Sequence, residues 1–214
     1  MNFNELGLHG DLLKAINELG FETPTPIQQQ TIPMLNAEPT DLVALAQTGT
    51  GKTAAFGLPI LNHINCENKN VQALVLAPTR ELCVQINNDI RNFGKYLHGF
   101  SSVAIYGGAK IDGQIKDIRR GVQVVVATPG RLIDVIERKV INLKTVNIVV
   151  LDDKINNKFP DSVVSNNSSK IYVGHIRPVS NSTFRRWNFF ISGDQLKRGA
   201  AYNVYLILLK LLDK

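Results

Sequence analysis

The chain has 214 residues, 44% of them hydrophobic, with a formal net charge of +6 and two cysteines, enough for one sizeable core or one domain with an added segment. No apolar run reaches the roughly 18 residues of a membrane span, so no membrane partner is expected. Cys66 and Cys83 lack metal-ligand spacing, which fits a cytoplasmic protein with free thiols.

In chain order, Leu12, Leu13, Ala15, Ile16 and Leu19 recur at helical spacing, with Gly20 as the C-terminal cap. Thr25-Pro26-Ile27-Gln28 predicts a second helix start, with Thr25 at the N-cap, Pro26 in the first turn and Gln28 completing a capping box. The apolar run Leu42-Val43-Ala44-Leu45 reads as a strand. It leads into Ala46-Gln47-Thr48-Gly49-Thr50-Gly51-Lys52-Thr53, and Ala54-Ala55-Phe56 can open a helix. Strand, glycine-rich turn and helix start in that order make a phosphate-binding loop. Its backbone N–H groups and the helix dipole face phosphate oxygens. Lys52 would reach the terminal phosphates, and the Thr53 hydroxyl would bind Mg²⁺.

Three further strands are expected at residues 73–76, 122–127 and 148–151, each nearly continuous in apolar residues, as strands covered on both faces are. Helical patterns at 81–93, 113–120 and 129–138 lie between them. The alternation predicts an α/β fold with a doubly wound, mostly parallel sheet, its functional loops at the C-terminal strand ends. The informative polar residues fall there. They are Ala77-Pro78-Thr79-Arg80-Glu81-Leu82, then Tyr106-Gly107-Gly108 after Val103-Ala104-Ile105, then Thr128-Pro129-Gly130-Arg131, then Asp152-Asp153.

On these residues, positions 1–152 resemble the N-terminal RecA-like domain of the DEAD-box ATP-dependent RNA helicases. Gly20-Phe21 with Pro24-Thr25-Pro26-Ile27-Gln28 looks like the family's Q motif, and Phe3 takes the upstream aromatic position. Residues 46–53 look like its phosphate loop, and 77–82, Gly107-Gly108 and 128–131 look like its RNA-facing motifs in order. The resemblance implies ATP and Mg²⁺ as cofactors. It implies that Gln28 reads the adenine edge and that Phe3 stacks on the ring, with Phe21 beside them. Gln47, Thr48, Gly49, Thr50, Gly51, Lys52 and Thr53 would hold the phosphates. Asp152 would hold Mg²⁺ through water, and Lys52, Asp152 and Asp153 would carry catalysis. It further implies RNA as partner, bound through its backbone without sequence specificity by Pro78, Thr79, Arg80, Gly107, Gly108, Thr128, Pro129, Gly130 and Arg131.

The resemblance breaks near Asp153. The family's Asp-Glu-Ala-Asp reads Asp152-Asp153-Lys154-Ile155 here, and no Ser-Ala-Thr motif follows. Asp153 is one methylene shorter than the glutamate it replaces. Catalytic geometry tolerates little displacement, so impaired hydrolysis is expected. Charge changes at the same place: residues 1–153 carry 14 basic and 15 acidic side chains, residues 154–214 carry 10 and 3. Residues 154–170 are rich in Asn and Ser and read as a linker. Residues 171–214, from Tyr172-Val173-Gly174 through Trp187-Asn188-Phe189 to Ala201-Tyr202-Asn203, are similar to the C-terminal segment of aspartate-semialdehyde dehydrogenases. This tail reads as a strand and a helix. We expect Asn188–Ser192 to fill the slot between the phosphate-loop strand at 42–45 and the strand at 148–151, with Leu196–Leu212 as its covering helix; a poorly ordered tail with a lone helix is the alternative. A non-enzymatic ATP- and RNA-binding module, a chimeric product without function and, remotely, a dehydrogenase remnant remain alternatives.

Overall fold

The structure is a computed structural model that describes residues 1–37, 42–44, 46 and 49–152, and the backbone of 190–192. A short 3₁₀ turn at Phe3–Leu6 precedes α1 (Gly10–Glu18), α2 (Pro26–Ala37) and α3 (Lys52–His63). Then come β1 (Ala73–Leu76), α4 (Arg80–Phe93), β2 (Ser102–Ile105), α5 (Ile111–Arg119), β3 (Val124–Ala127), α6 (Pro129–Glu137), β4 (Ile148–Asp152) and β5 (Phe190–Ser192). The order across the sheet is β2-β3-β1-β4-β5, and every pairing is parallel.

Successive residues of a strand point to opposite faces, and that alternation builds two cores. Ala73, Val75, Val124, Val126, Ile148 and Val150 face α1, α2, α3 and α4, meeting Leu12, Ile32, Leu58 and Ile86. Leu74, Leu76, Val125, Ala127, Val149 and Leu151 face the other way, onto Ile118 of α5 and Leu132 and Val135 of α6. The strands therefore read as apolar runs, since both faces are covered. α3 is buried from Ala54 through Leu61 on every side because it lies between α2 and α4 within that layer.

Parallel pairing puts all C-terminal strand ends on one edge. The loops after β1, β2, β3 and the last residue of β4 therefore share one side of the molecule. Ends of elements shift by a residue or two from expectation. α5 starts at Ile111, ahead of Gly113, behind Lys110 as a cap without a side-chain hydrogen bond. β3 starts at Val124, and the side chain of Gln123 before it accepts from the Ser101 N–H and donates to the Cys66 and Asn68 carbonyls.

Two expectations need correction. Leu42–Ala44 does not form a strand, although Leu42 and Ala44 pack on the core and Val43 is exposed, as in a strand. A strand requires a hydrogen-bonded neighbour, and among the described residues this segment joins no ladder. The capping box at Thr25 is only half formed. Gln28 Oε1 accepts from the Thr25 N–H at 2.9 Å, but the Thr25 hydroxyl donates to the Thr50 carbonyl at 2.9 Å rather than capping α2. Of the strand expected at 188–192 between two neighbours, Phe190–Ser192 pairs with β4, Ser192 opposite Asp152, and among the described residues no phosphate-loop strand flanks its other side. Leu196–Leu212, the expected covering helix, lies outside the described residues. Among the described residues no helix is long and apolar enough to cross a membrane.

Candidate functional site

One group of side chains forms where α2 meets the start of α3. Gly51 is the N-cap of α3 with φ +82°, a left-handed conformation that suits glycine, and among the described residues no side chain caps the helix there. The first N–H groups of α3 are therefore left for an anion. Gln28 is only 2% exposed, and both ends of its amide are engaged. Oε1 accepts from Thr25, and Nε2 donates to the Gly51 carbonyl at 3.1 Å. With the Thr25 hydroxyl on Thr50, two hydrogen bonds tie the α2 start to the loop. The amide thus faces the loop, with one bond made at each end of its two-donor, two-lone-pair capacity. Phe3 is 5% exposed and packs on Phe21 at 5.9 Å between ring centroids, with Phe21 edge-on to Phe93 at 5.9 Å. The structure thus uses Phe3 as a core aromatic.

Lys52 and Asp152 meet around one small cavity of about 20 Å³, room for a single water, which Thr31, Ala44, Ala55 and Leu151 also line. Asp152 is 2% exposed at the end of β4. Thr53 follows Lys52 in the first turn of α3 and is half-buried. The lysine and the aspartate expected to share a nucleotide are therefore in one place, while Gln47, Thr48 and Asp153 lie outside the described residues. Among the described residues no three His, Cys, Asp or Glu side chains cluster to hold a metal ion. An Mg²⁺ ion here would depend on Thr53, Asp152 and the phosphates themselves.

A second group forms along the same sheet edge. Thr79 caps α4, its hydroxyl accepting from the Leu82 N–H at 3.2 Å. Pro78 precedes it half-buried, and Arg80 is exposed with its guanidinium 4.7 Å above the Tyr106 ring. Gly107 has open space where a Cβ would stand, and Gly108 adopts φ +82° beside Arg80. α6 begins at Pro129 behind Thr128, which makes no side-chain cap hydrogen bond, and Gly130 is exposed. That helix start keeps its first N–H groups available, unlike α4.

Arg131 differs from expectation. Its side chain is 10% exposed, and Nη1 donates to Gln114 Oε1 at 2.8 Å and Nη2 to the Ala109 carbonyl at 3.0 Å. Nε lies 3.8 Å from Asp134 Oδ2. The guanidinium therefore points into the protein rather than toward a ligand in solvent. Tyr106 and Gln114 were not singled out from the sequence as binding residues. The spacing of Gln114 from Gly108 has no local meaning, and only the packing of α5 on β2 brings it to the loop.

Residues 25–163 match the DEAD/DEAH box helicase family. The chain belongs to the DEAD/DEAH box helicase family. The match runs on past Asp153. Among curated relatives, the ATP-dependent RNA helicase DeaD of Haemophilus influenzae is 49% identical over 154 residues, covering 72% of this chain and 25% of the relative. The DEAD-box ATP-dependent RNA helicase CshA of Bacillus subtilis is 45% identical over 168 residues, covering 77% of this chain and 34% of the relative. The chain thus spans about a quarter to a third of the length of these relatives. A crystal structure of a DEAD box protein from Methanococcus jannaschii superposes with a TM-score of 0.69 at 31% identity, covering 99% of this chain and 53% of the other. Dbp5 of S. cerevisiae bound to RNA and ADP BeF3 gives 0.68 at 27% identity, covering 99% of this chain and 50% of the other. The fold is the parallel α/β sheet of the RecA-like DEAD-box domain.

Proposed function

We propose that this chain is the ATP- and RNA-binding portion of a DEAD-box RNA helicase, with ATP hydrolysis weakened by the sequence around Asp153. The observation that carries the reading is the meeting of Lys52 and Asp152 at one cavity beside an uncapped, glycine-led helix start. Lys52, Gly49, Thr50, Gly51 and Thr53, with Gln47 and Thr48, would hold the phosphates through backbone N–H groups and one ammonium. Thr53 would ligate Mg²⁺ directly and Asp152 through water. The small cavity and the buried carboxylate suit that water-bridged arrangement. When bound, the ion supplies positive charge to the β- and γ-phosphates. Asp153 would orient the attacking water, one methylene short of a glutamate. Gln28 would recognise adenine with its second Nε2 N–H and second Oε1 lone pair while keeping its bond to Gly51, with Phe21 and Phe3 packed nearby.

RNA would run along the edge formed by Pro78, Thr79, Arg80, Gly107, Gly108, Thr128, Pro129 and Gly130. An exposed arginine, two glycines and an uncapped helix start all suit phosphate oxygens and carry no base-edge readout. A cytoplasmic location stays part of the proposal, on composition alone. We place domain boundaries at 1–153, 154–170 and 171–214. None of the matches above is to a dehydrogenase, and we assign no dehydrogenase role to residues 171–214.

The test is phosphate release from Mg-ATP by the full chain, with and without single-stranded RNA. Slow, RNA-stimulated turnover that Lys52→Ala abolishes and Asp153→Glu raises supports the reading. Turnover that Lys52→Ala leaves unchanged refutes it.

A further inference from the structure

We propose that Gln114 and Arg131 are positioning residues for RNA binding, which clamp the Tyr106–Ala109 loop at both ends, and that Arg131 is not itself a phosphate ligand. The inference rests on reading this sheet edge as the RNA interface. Gln114 is 8% exposed on α5. Its Oε1 accepts from the Tyr106 N–H at 3.3 Å, and its Nε2 donates to the Tyr106 carbonyl at 3.2 Å. The amide thereby stands in for a strand neighbour one residue beyond the end of β2. The same Oε1 accepts from Arg131 Nη1 at 2.8 Å. From the other side, Arg131 Nη2 donates to the carbonyl of Ala109 at 3.0 Å. One side chain fixes Tyr106, the other fixes Ala109, and Gly107 and Gly108 lie between.

Glycines lose more conformational freedom on ordering than other residues, so a loop carrying two of them binds weakly unless it is ordered beforehand. The clamp supplies that order without using a side chain of the loop itself. It also ties the loop after β2 to the start of α6, so that two backbone phosphate contacts keep a fixed separation. Arg131 turns its guanidinium inward: Nη1 and Nη2 each donate one hydrogen bond within the protein, and Nε is buried and faces Asp134. Arg80 is the contrast, exposed and resting on the Tyr106 ring.

The salt dependence of RNA binding separates a clamp from a ligand. Each phosphate neutralised by a cation on single-stranded RNA contributes about 0.7 to the slope of log affinity against log salt. The experiment titrates a labelled oligouridine with the full chain and Mg-ATP over a KCl series, for wild type, Arg80→Ala, Gln114→Met, Arg131→Met and Arg131→Lys. Arg80→Ala should reduce the slope by about 0.7. Gln114→Met and Arg131→Met should each weaken binding about tenfold with the slope unchanged, and the double variant should be no weaker than the weaker single. Arg131→Lys should behave as Arg131→Met, since one ammonium cannot span Gln114 and Ala109. Retention of the Mg-ATP thermal shift in each variant shows that it is folded. If Arg131→Met fails to fold, Arg131→Lys and Gln114→Met decide. Near wild-type binding by Arg131→Lys, or a reduced slope in Arg131→Met, overturns the proposal. An unchanged slope and affinity in Arg80→Ala, or no RNA binding by wild type, overturns the RNA reading of this edge and the clamp's purpose with it.

Discussion

Replacing Gly51 by alanine probes the joint between α2 and the phosphate loop. A Cβ at Gly51 would stand 2.3 Å from Gln28 Nε2 and 3.2 Å from its Cδ. A flexible side chain could step aside, but Gln28 is buried and held by Thr25 at 2.9 Å. Gly49 provides the control, since it has φ +80° and, among the described residues, nothing within 4 Å of its added Cβ. A left-handed alanine costs about 1–2 kcal/mol, and the smaller freedom of the unfolded chain returns about 0.4–1 kcal/mol. Gly49→Ala should therefore lose about 1 kcal/mol. Gly51→Ala carries that same term and also displaces the buried amide, about 1–3 kcal/mol more, for a total of about 2–4 kcal/mol. Equilibrium urea unfolding of the full chain measures both. Adding Gln28→Ala removes the obstacle, so Gly51→Ala in that background should cost only what Gly49→Ala costs. Equal losses for Gly49→Ala and Gly51→Ala in the wild-type background would refute the reasoning.

Two further outcomes follow from charge and burial. Burial pushes the Cys83 thiol up to about 12, while Cys66, raised in the same direction, is partly exposed. A thiol reagent at about pH 8 should modify Cys66 in the folded chain and Cys83 only on unfolding, and modification of both in the folded chain contradicts the placement of Cys83. Hydrogen bonds from Lys95 and then Tyr96 hold the Glu18 carboxyl below its ordinary 4.5, and the bond to Glu18 raises both partners. The Glu18 contribution is present above pH 4.5 and fades as pH falls through the lowered value, whereas that of Tyr96 and Lys95 is present below about pH 10 and fades above it. All three groups lie at the surface, so Glu18→Gln should flatten the acid limb of stability against pH only slightly. A steeper acid limb in the variant would contradict the assignment.

The sheet was legible because its strands are covered on both faces. Ala73–Leu76 and Ile148–Leu151 are apolar at every position, and a surface strand would have alternated. Thr128-Pro129 was legible because an N-cap with proline in the first turn is a local signal. What failed was the choice of partner. Thr25 carried the right residue for a cap, yet its hydroxyl goes to Thr50, 25 positions away. The contacts of Arg131 were not legible either: Gln114 and Ala109 accept two of its N–H groups. Leu42–Ala44 has the alternation of a strand but, among the described residues, no ladder to join. Each of these depends on distant residues, which spacing along the chain does not encode.

The most direct test of the account is thermal unfolding of the full chain with and without Mg-ATP, beside Lys52→Ala. A ligand that binds only the folded state at about 100 times its dissociation constant adds roughly 2.7 kcal/mol. The account predicts a clear upward shift in the wild type that Lys52→Ala loses, because Lys52 and Asp152 are already assembled around one cavity. No shift in the wild type, or an equal shift in Lys52→Ala, would contradict it.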